Sequence, residues 1–247
     1  MRNKRMFKRV IGLVIFIALV IVPSYINQKS YADDSANDKT EIKEEKNEVS
    51  YDLANIPDYN GSPYVVINDN NPNFDDSLKT DRSFEKYSEL DSLGRCGSAI
   101  ANIGVDIMPT EERGRIGQIK PSGWHTIRYD DLIEGKYLYN RCHLIGYQLT
   151  GENANPKNLI TCTSYMNTVG MLEFENKVAE YVKKTNNHVL YRVTPVFEDN
   201  NLLAHGVEME GYSIEDSGKG IKFNVFVYNV QNGIDIDYSN GNSKLME

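Results

Sequence analysis

The sequence predicts an α+β fold with a central, mostly antiparallel sheet. Short apolar runs with strand-like composition are separated by turns rich in Gly, Asn and charged residues. Only one long segment has clear helical periodicity, and three further strand-like runs follow it. Strands, one helix and then more strands are typical of α+β folds, whereas a parallel α/β sheet would alternate the two elements along the chain.

Four of the predicted strands precede the predicted helix. Residues 80–97 are polar with scattered aromatic side chains, and 93–97 are predicted to form a loop. A second polar stretch, Pro109–Gly123, contains Arg113, Arg115 and Lys120. The strands predicted here are Ser62–Ile67, Ser98–Met108, Trp124–Tyr129 and Leu159–Met166. The run Tyr137–Leu149 is apolar at its edges but polar inside, and a turn-rich loop, Thr150–Asn158, follows it.

The helix is predicted over Thr168–Lys184. Met171, Phe174 and Val178 fall at i, i+3 and i+7, which gives the segment one apolar face. The three strands predicted after this helix are Val189–Phe197, Leu202–Tyr212 and Ile221–Val230.

The N-terminus has the pattern of a secretory signal. Basic residues at positions 2–9 precede an apolar run, Val10–Ile26, and a small-x-small site ends at Ala32. An uncleaved anchor is the alternative, but the apolar run contains Pro23 and is shorter than the roughly 20 residues that span a bilayer. Residues 1–32 are therefore predicted to be a signal peptide or N-terminal membrane anchor, with cleavage preferred, and the protein to be secreted or tethered to the outer face of the cell membrane.

An acidic linker is predicted to follow at 33–60, with the folded domain at 61–247. Residues 33–50 have almost no apolar side chain, so we expect disorder there. Without residues 1–32, the chain has 21 basic against 35 acidic residues, a net charge of −14. This charge argues weakly against tight, static binding of nucleic acid, but it leaves room for a local positive groove.

The three cysteines, Cys96, Cys142 and Cys162, exclude a disulfide-dense scaffold. There is no CxxC motif and no paired His spacing, which disfavours a structural zinc site. A thiol nucleophile at Cys142 with His143 as its base is also disfavoured, because adjacent residues of a strand point to opposite faces.

One group of polar residues suggests catalysis. His143 lies inside an apolar run and could act as a general base near neutral pH, although a lone histidine is more often a core residue with satisfied hydrogen bonds. Asn158 and Asn167 flank the strand Leu159–Met166. Asn167 alone would suggest a helix N-cap, but Glu175 follows it by eight residues and shares a flank of the helix. An amide oxygen and a carboxylate acting through water suit Mg²⁺.

These residues occur in a familiar context. Asn140-Arg141-Cys142-His143 resembles the Asp-Arg-Gly-His signature of DNA/RNA non-specific endonucleases, and the supporting segments are 140–161, 164–178 and 190–199. The similarity spans roughly residues 60–235, and the sequence is close to the streptococcal secreted or membrane-bound DNase branch. It implies a ββα-metal (His-Me finger) core within a nuclease domain at 61–247. Asn140 and Cys142 depart from the signature; the latter is compatible with a side chain facing the core near Cys162, and which cysteines pair is left open.

The resemblance also implies a function, namely sequence-nonspecific hydrolysis of DNA, and of RNA, to 5′-phosphate ends. His143 would be the general base, Asn158 would orient the site, Asn167 would bind Mg²⁺ or Mn²⁺, and Glu175 would bind metal-coordinated water. Arg141 and Arg192 are candidate phosphate contacts, with ordinary surface or packing arginines as the alternative. The rival functions are a non-catalytic secreted surface protein that keeps the fold, and a nuclease toxin with an immunity partner. No protein partner is evident.

Overall fold

The computed structural model describes residues 55–247. The predicted signal or anchor and most of the predicted linker lie outside these residues. Within the described part of the chain, no helix is long and apolar enough to cross a membrane.

A six-stranded sheet forms the centre of the fold, and all five of its strand pairs are antiparallel. Numbered in chain order and given in spatial order, its strands are β1 (Tyr64–Val66), β8 (Lys222–Tyr228), β7 (Gly206–Ser213), β6 (Val189–Val196), β3 (Ala99–Ile103) and β2 (Phe84–Tyr87).

A separate hairpin and a helix pack on one face of this sheet. The hairpin pairs β4 (Tyr139–His143) with β5 (Leu159–Thr163), and a four-residue helix, α1 (Tyr147–Thr150), lies in their connection. After β5 the chain forms a π-helical segment, Met166–Met171, which continues directly into α2 (Leu172–Thr185). Strand, strand and helix therefore follow one another as the ββα arrangement requires, and the predicted fold class is confirmed.

The main core lies between the sheet and this ββα unit. Val193, Met209 and Val225 are cross-strand neighbours on the inner face of the sheet, and all three are buried. Phe174 and Val178 of α2 pack against the same cluster, as their periodicity predicts. Because side chains alternate along a strand, the residues between these inner positions point to the opposite face.

Several predicted elements differ from the structure. Trp124–Tyr129 is not a strand: it makes one isolated bridge, at Arg128, and its alternating apolar side chains pack into a second, smaller cluster. Strand β2 falls in the stretch predicted as polar, because it is an edge strand with only its two ends partly buried. The helical segment begins before Thr168, with the π-helical turns. A C-terminal hairpin, β9 (Ile234–Asp237) with β10 (Asn242–Leu245), had no clear sequence signal.

Candidate active site

His143 is the last residue of β4 and is almost completely buried. Its Nε2 atom lies 2.7 Å from the backbone carbonyl oxygen of Asn153. Because a carbonyl only accepts hydrogen bonds, Nε2 must carry the ring proton and donate it. The neutral ring then has its lone pair on Nδ1, which faces the Arg113 guanidinium at 3.3 Å from Nη2.

The surroundings of His143 keep its ring neutral. Burial lowers the pKa of His143 to about 4; the positive charge of Arg113 acts in the same direction, and the hydrogen bond to Asn153 opposes it. At neutral pH the ring is therefore uncharged, with its one proton on Nε2, and able to accept a second proton at Nδ1.

Asn158 holds the chain immediately after His143. Its Oδ1 accepts a hydrogen bond from the backbone N–H of Ile145 at 2.9 Å, and its Nδ2 donates to the carbonyl of the same residue at 3.0 Å. Its own carbonyl accepts from the N–H of Leu144. Because both ends of the fully buried amide are used in this way, Asn158 fixes the hairpin that carries His143 and does not reach substrate.

The helix carries Asn167 and Glu175. Asn167 lies inside the π-helical segment, so it is not an N-cap, and its side chain has no hydrogen-bond partner within residues 55–247. A π-helical turn contains about one more residue than an α-helical turn, so the eight residues from Asn167 to Glu175 span about two full turns. The helix therefore places the two side chains on the same flank.

Glu175 is enclosed by α1 and the chain that precedes it. A Cβ atom at Gly146 would lie 2.8 Å from the carboxyl carbon of Glu175, so glycine is needed for this approach. Burial raises the pKa of Glu175 to about 7, an effect only partly offset by a hydrogen bond from Gln148 and by the charge of Arg113. Because Gly146 follows His143 by three residues, its close approach to Glu175 brings the base and the helix into one site.

The donor set fits a hard divalent cation. Among residues 55–247 no cluster of three or more His, Cys, Asp or Glu side chains could hold a metal ion. The amide oxygen of Asn167 and the carboxylate of Glu175 are the kind of sparse oxygen ligands that Mg²⁺ accepts, because it retains much of its water shell.

Arg141 has a different environment from the one predicted. Its Nε donates to the carbonyl of Ile119 and its Nη2 to that of Gly117, while the guanidinium stacks 3.8 Å from the ring centroid of Trp124. These contacts attach the loop that carries Arg113 to the hairpin. The geometry therefore favours the packing alternative for Arg141 over a phosphate contact.

The structure does not bring Arg192 to the site. Its neighbours on β6, Tyr191 and Val193, face the main core, so Arg192 points to the opposite face of the sheet. There its Nε donates to Glu210 at 2.6 Å and its Nη2 donates to the carbonyl of Asn73 at 2.7 Å. The prediction of Arg192 as a substrate contact is corrected accordingly.

Comparison with known proteins agrees with this geometry. A model of the DNA/RNA non-specific endonuclease family matches residues 73–215, more than half of the chain. The chain belongs to this family. The predicted resemblance is thus confirmed, and the family makes this protein a nuclease, a hydrolase whose substrate is nucleic acid.

Solved structures of nucleases are among those that resemble this member of the family. NucA from Streptococcus agalactiae with magnesium bound is 25% identical, with a TM-score of 0.65 over 73% of this chain and 87% of that one. The metal-free form of NucA gives 25% identity and a TM-score of 0.67 over 78% and 92%. Sda1 nuclease with bound zinc is 29% identical, with a TM-score of 0.55 over 66% and 80%.

The family signature's glycine position is occupied here by a disulfide-bonded residue. Cys142 pairs with Cys162 across the hairpin, with a Cα–Cα distance of 5.9 Å, and both are fully buried. The remaining cysteine, Cys96, is buried, and its thiol donates to backbone carbonyls. A thiol nucleophile beside His143 is thereby excluded.

Three residues of the site were not predicted from the sequence. Arg113 was visible only as one of several cations in a polar loop, and no spacing rule connects it with a histidine 30 positions later. Gln148 of α1 lowers the pKa of Glu175, and the charge of Glu175 raises the pKa of Tyr191 on β6. Only the assembled fold identifies these residues.

Proposed function

We propose that the protein is a sequence-nonspecific endonuclease that hydrolyses phosphodiester bonds of DNA and RNA, with His143 as general base and one Mg²⁺ ion. The observation that supports this most strongly is the 2.7 Å contact between Nε2 of His143 and the Asn153 carbonyl oxygen. It assigns the ring proton to Nε2, so the basic Nδ1 atom faces the exposed Arg113.

The reaction begins with proton transfer to His143. Nδ1 takes a proton from a water molecule, and the water oxygen forms a bond to a backbone phosphorus. The bond from phosphorus to the 3′-oxygen breaks on the opposite side, and the 3′-oxygen takes up a proton from solvent. The product strand then begins with a 5′-phosphate.

Asn167 and Glu175 are the residues that would hold the cation. When bound, Mg²⁺ stabilises the negative charge that develops on the phosphate and on the leaving oxygen. Asn167 would offer its amide oxygen to the ion directly, and Glu175 would hold the water molecules of the ion through hydrogen bonds. Magnesium in NucA and zinc in Sda1 nuclease support a divalent ion in this chain, and Mn²⁺ is the expected substitute.

Arg113 supplies the positive charge of the site. It is exposed and lies beside Nδ1 of His143, where the attacking water and the phosphate would meet. A guanidinium there binds phosphate oxygens, and such contacts carry no sequence information, as a nonspecific enzyme requires. Arg113 thereby takes the role that the sequence analysis assigned to Arg141 and Arg192.

The N-terminal assignments remain part of this proposal. Residues 1–32 direct the protein out of the cell as a cleaved signal or hold it at the outer face of the membrane. Residues 33–60 then connect this segment to the nuclease domain at 61–247. An intact arrangement of His143, Asn158, Asn167 and Glu175 favours an active enzyme over a non-catalytic surface protein that keeps the fold.

The proposal is tested with supercoiled plasmid and with RNA in Mg²⁺ buffer. The purified protein should degrade both, EDTA should stop the reaction, and Mn²⁺ should restore it. The ends are then tested with DNA ligase, which joins nicks only where a 5′-phosphate meets a 3′-hydroxyl. Cleavage that persists in EDTA, or nicks that require kinase treatment before ligation, would contradict the proposed chemistry.

A further inference from the structure

Arg113 lies on a long connection that has no regular structure of its own. Residues 108–138 contain neither a helix nor a strand, and their one β-bridge joins Arg128 to Tyr137. Connections of this length without secondary structure are uncommon in compact domains and are usually functional. The position of Arg113 must therefore be set by contacts between this connection and the rest of the fold.

The β4–β5 hairpin holds the part of this connection that follows Arg113. Arg141 lies two residues before His143 on β4, so both side chains leave the same face of the hairpin. Thr161 is the cross-strand partner of Arg141 on β5 and shares that face. The two side chains donate to three backbone carbonyl groups of the connection, namely those of Gly117 (Arg141 Nη2, 3.0 Å), Ile119 (Arg141 Nε) and Ser122 (Thr161 Oγ1, 2.8 Å). These bonds fix residues 117–122 against the strand that carries His143.

Trp124 stacks on the same guanidinium. Its half-buried ring has its centroid 3.8 Å from the guanidinium carbon of Arg141, and it packs against the second, smaller cluster. A planar guanidinium can stack on an indole ring while it donates two hydrogen bonds in its own plane, whereas the ammonium group of lysine cannot do both. The contact therefore requires arginine, and Trp124 reports on it because it is the only tryptophan.

The part of the connection before Arg113 is held separately. The Tyr147 hydroxyl, on α1, donates to the carbonyl of Glu111 at 2.8 Å. Arg113 thus lies between two fixed stretches of chain, and its Nη2 atom reaches to 3.3 Å from Nδ1 of His143.

We propose that Arg141 and Thr161 are positioning residues for Arg113: by holding residues 117–122 on the hairpin, they keep the Arg113 guanidinium where the phosphate meets His143. This inference rests on the proposed function, because it assumes that Arg113 binds the phosphate. Neither Arg141 nor Thr161 has to touch nucleic acid in this arrangement. Their replacement should therefore affect the reaction only through Arg113.

The test is a double-mutant cycle on kcat/KM for plasmid nicking, built from Arg113→Ala and Arg141→Lys. Losing a charge-assisted hydrogen bond to the phosphate should lower kcat/KM of Arg113→Ala about 10–100-fold. Arg141→Lys keeps the positive charge but cannot hold both carbonyls, and the displaced Arg113 should lower kcat/KM about tenfold. In the Arg113→Ala background, the same change should cost less than about twofold.

Two measurements without nucleic acid separate a displaced loop from a damaged metal site. In Arg141→Lys the fluorescence of Trp124 should shift to longer wavelength, because the indole ring loses the guanidinium that covers it. Mn²⁺ affinity, measured by electron paramagnetic resonance of the free ion, should match that of the wild type.

Thr161→Val is the milder variant and keeps the test open should Arg141→Lys not fold, as judged by its thermal midpoint in EDTA. It removes one hydroxyl and preserves the shape of the side chain. Its loss in kcat/KM, about threefold for one neutral hydrogen bond, should also vanish in the Arg113→Ala background.

Arg128→Lys is the matched control. Arg128 also stacks on an aromatic ring of this connection, that of Tyr137, and pairs with the exposed Asp130. This variant should keep the wild-type kcat/KM. An Arg141→Lys loss of equal size in both backgrounds, or no loss in either, would overturn the inference alone. Arg113→Ala with the wild-type kcat/KM would instead overturn the role proposed for Arg113, and the inference with it.

Discussion

Replacing Asn158 with alanine tests whether the hairpin must be held rigid for His143 to work. The substitution removes two hydrogen bonds, of 2.9 and 3.0 Å, to the backbone N–H and carbonyl of Ile145. Both residues are fully buried, so water cannot replace these bonds without rearrangement of the chain. The change acts two positions after His143 and leaves the imidazole itself intact.

The magnitude follows from the two backbone groups left without partners. Each buried, unpaired group costs about 1–3 kcal/mol, so Asn158→Ala should lower the free energy of unfolding by roughly 2–6 kcal/mol. Catalysis should suffer separately, because a displacement of about 1 Å at a catalytic group can cost about a hundredfold in rate. We therefore expect a large decrease in kcat with little change in Mn²⁺ affinity.

Stability is measured by urea unfolding, followed through the fluorescence of Trp124, the only tryptophan. Plasmid nicking is measured at a temperature where the variant remains folded. The control is Asn224→Ala, which removes an equally buried amide on the opposite face of the sheet, hydrogen-bonded to the carbonyl of Asn71. Unchanged stability of Asn158→Ala, or an equal decrease in kcat in both variants, would refute the reasoning.

Three further predictions concern the surroundings of the site. The double variant Cys142→Ser/Cys162→Ser should lose about 3 kcal/mol of unfolding free energy in urea, because the bridge closes a loop with a sequence separation of 20; stability equal to the oxidised wild type would contradict this. Between pH 7 and pH 4, in EDTA, the unfolding free energy of the wild type should fall by about 3 kcal/mol more than that of His143→Ala. The reason is that the imidazole binds a proton near pH 6.5 in the unfolded chain but only near pH 4 in the folded protein. An equal loss of unfolding free energy in both proteins, measured with urea, would exclude a depressed pKa of His143. Arg192→Ala should lower the free energy of unfolding by about 3–5 kcal/mol, because Glu210 stays buried without its charged partner. Plasmid cleavage should remain at the wild-type rate. Loss of cleavage in a folded Arg192→Ala variant would show that Arg192 belongs to the active site after all.

Local patterns were sufficient for much of the fold. The apolar face of the helix, at Phe174 and Val178, and the strand-like runs after it lie where periodicity predicts them. Edge strand β2 was missed because its pairing with β3 leaves most of its side chains in solvent. The alternation in Trp124–Tyr129 was misread as a strand, because a loop that packs on a small cluster can show the same pattern.

The candidate site was predictable only where its residues are close in sequence. His143, Asn158, Asn167 and Glu175 fall on consecutive elements, so their spacing and the family resemblance indicated them. Arg192 was assigned to the site because the sequence does not tell which face of the sheet the hairpin covers.

The contribution of Arg113 could not be predicted, since a long irregular loop brings it to His143. The π-helical segment could not be predicted from the sequence either. One extra residue in a helical turn changes which side chains share a flank, but it leaves the apolar pattern of the following helix unchanged.

The most direct test of the central claim is the single-turnover rate of plasmid nicking by His143→Ala at saturating Mg²⁺. General base catalysis contributes typically about 10²–10⁴-fold, so the rate should fall by that factor while Mn²⁺ affinity and the thermal midpoint in EDTA show a folded, metal-competent protein. His205→Ala is the control. This partly buried histidine stacks on Tyr238 and contacts Asn201. Because His205 has no catalytic role in this account, its replacement should leave the nicking rate within about threefold of wild type. Nicking by folded His143→Ala at the wild-type rate would show that His143 is not the general base.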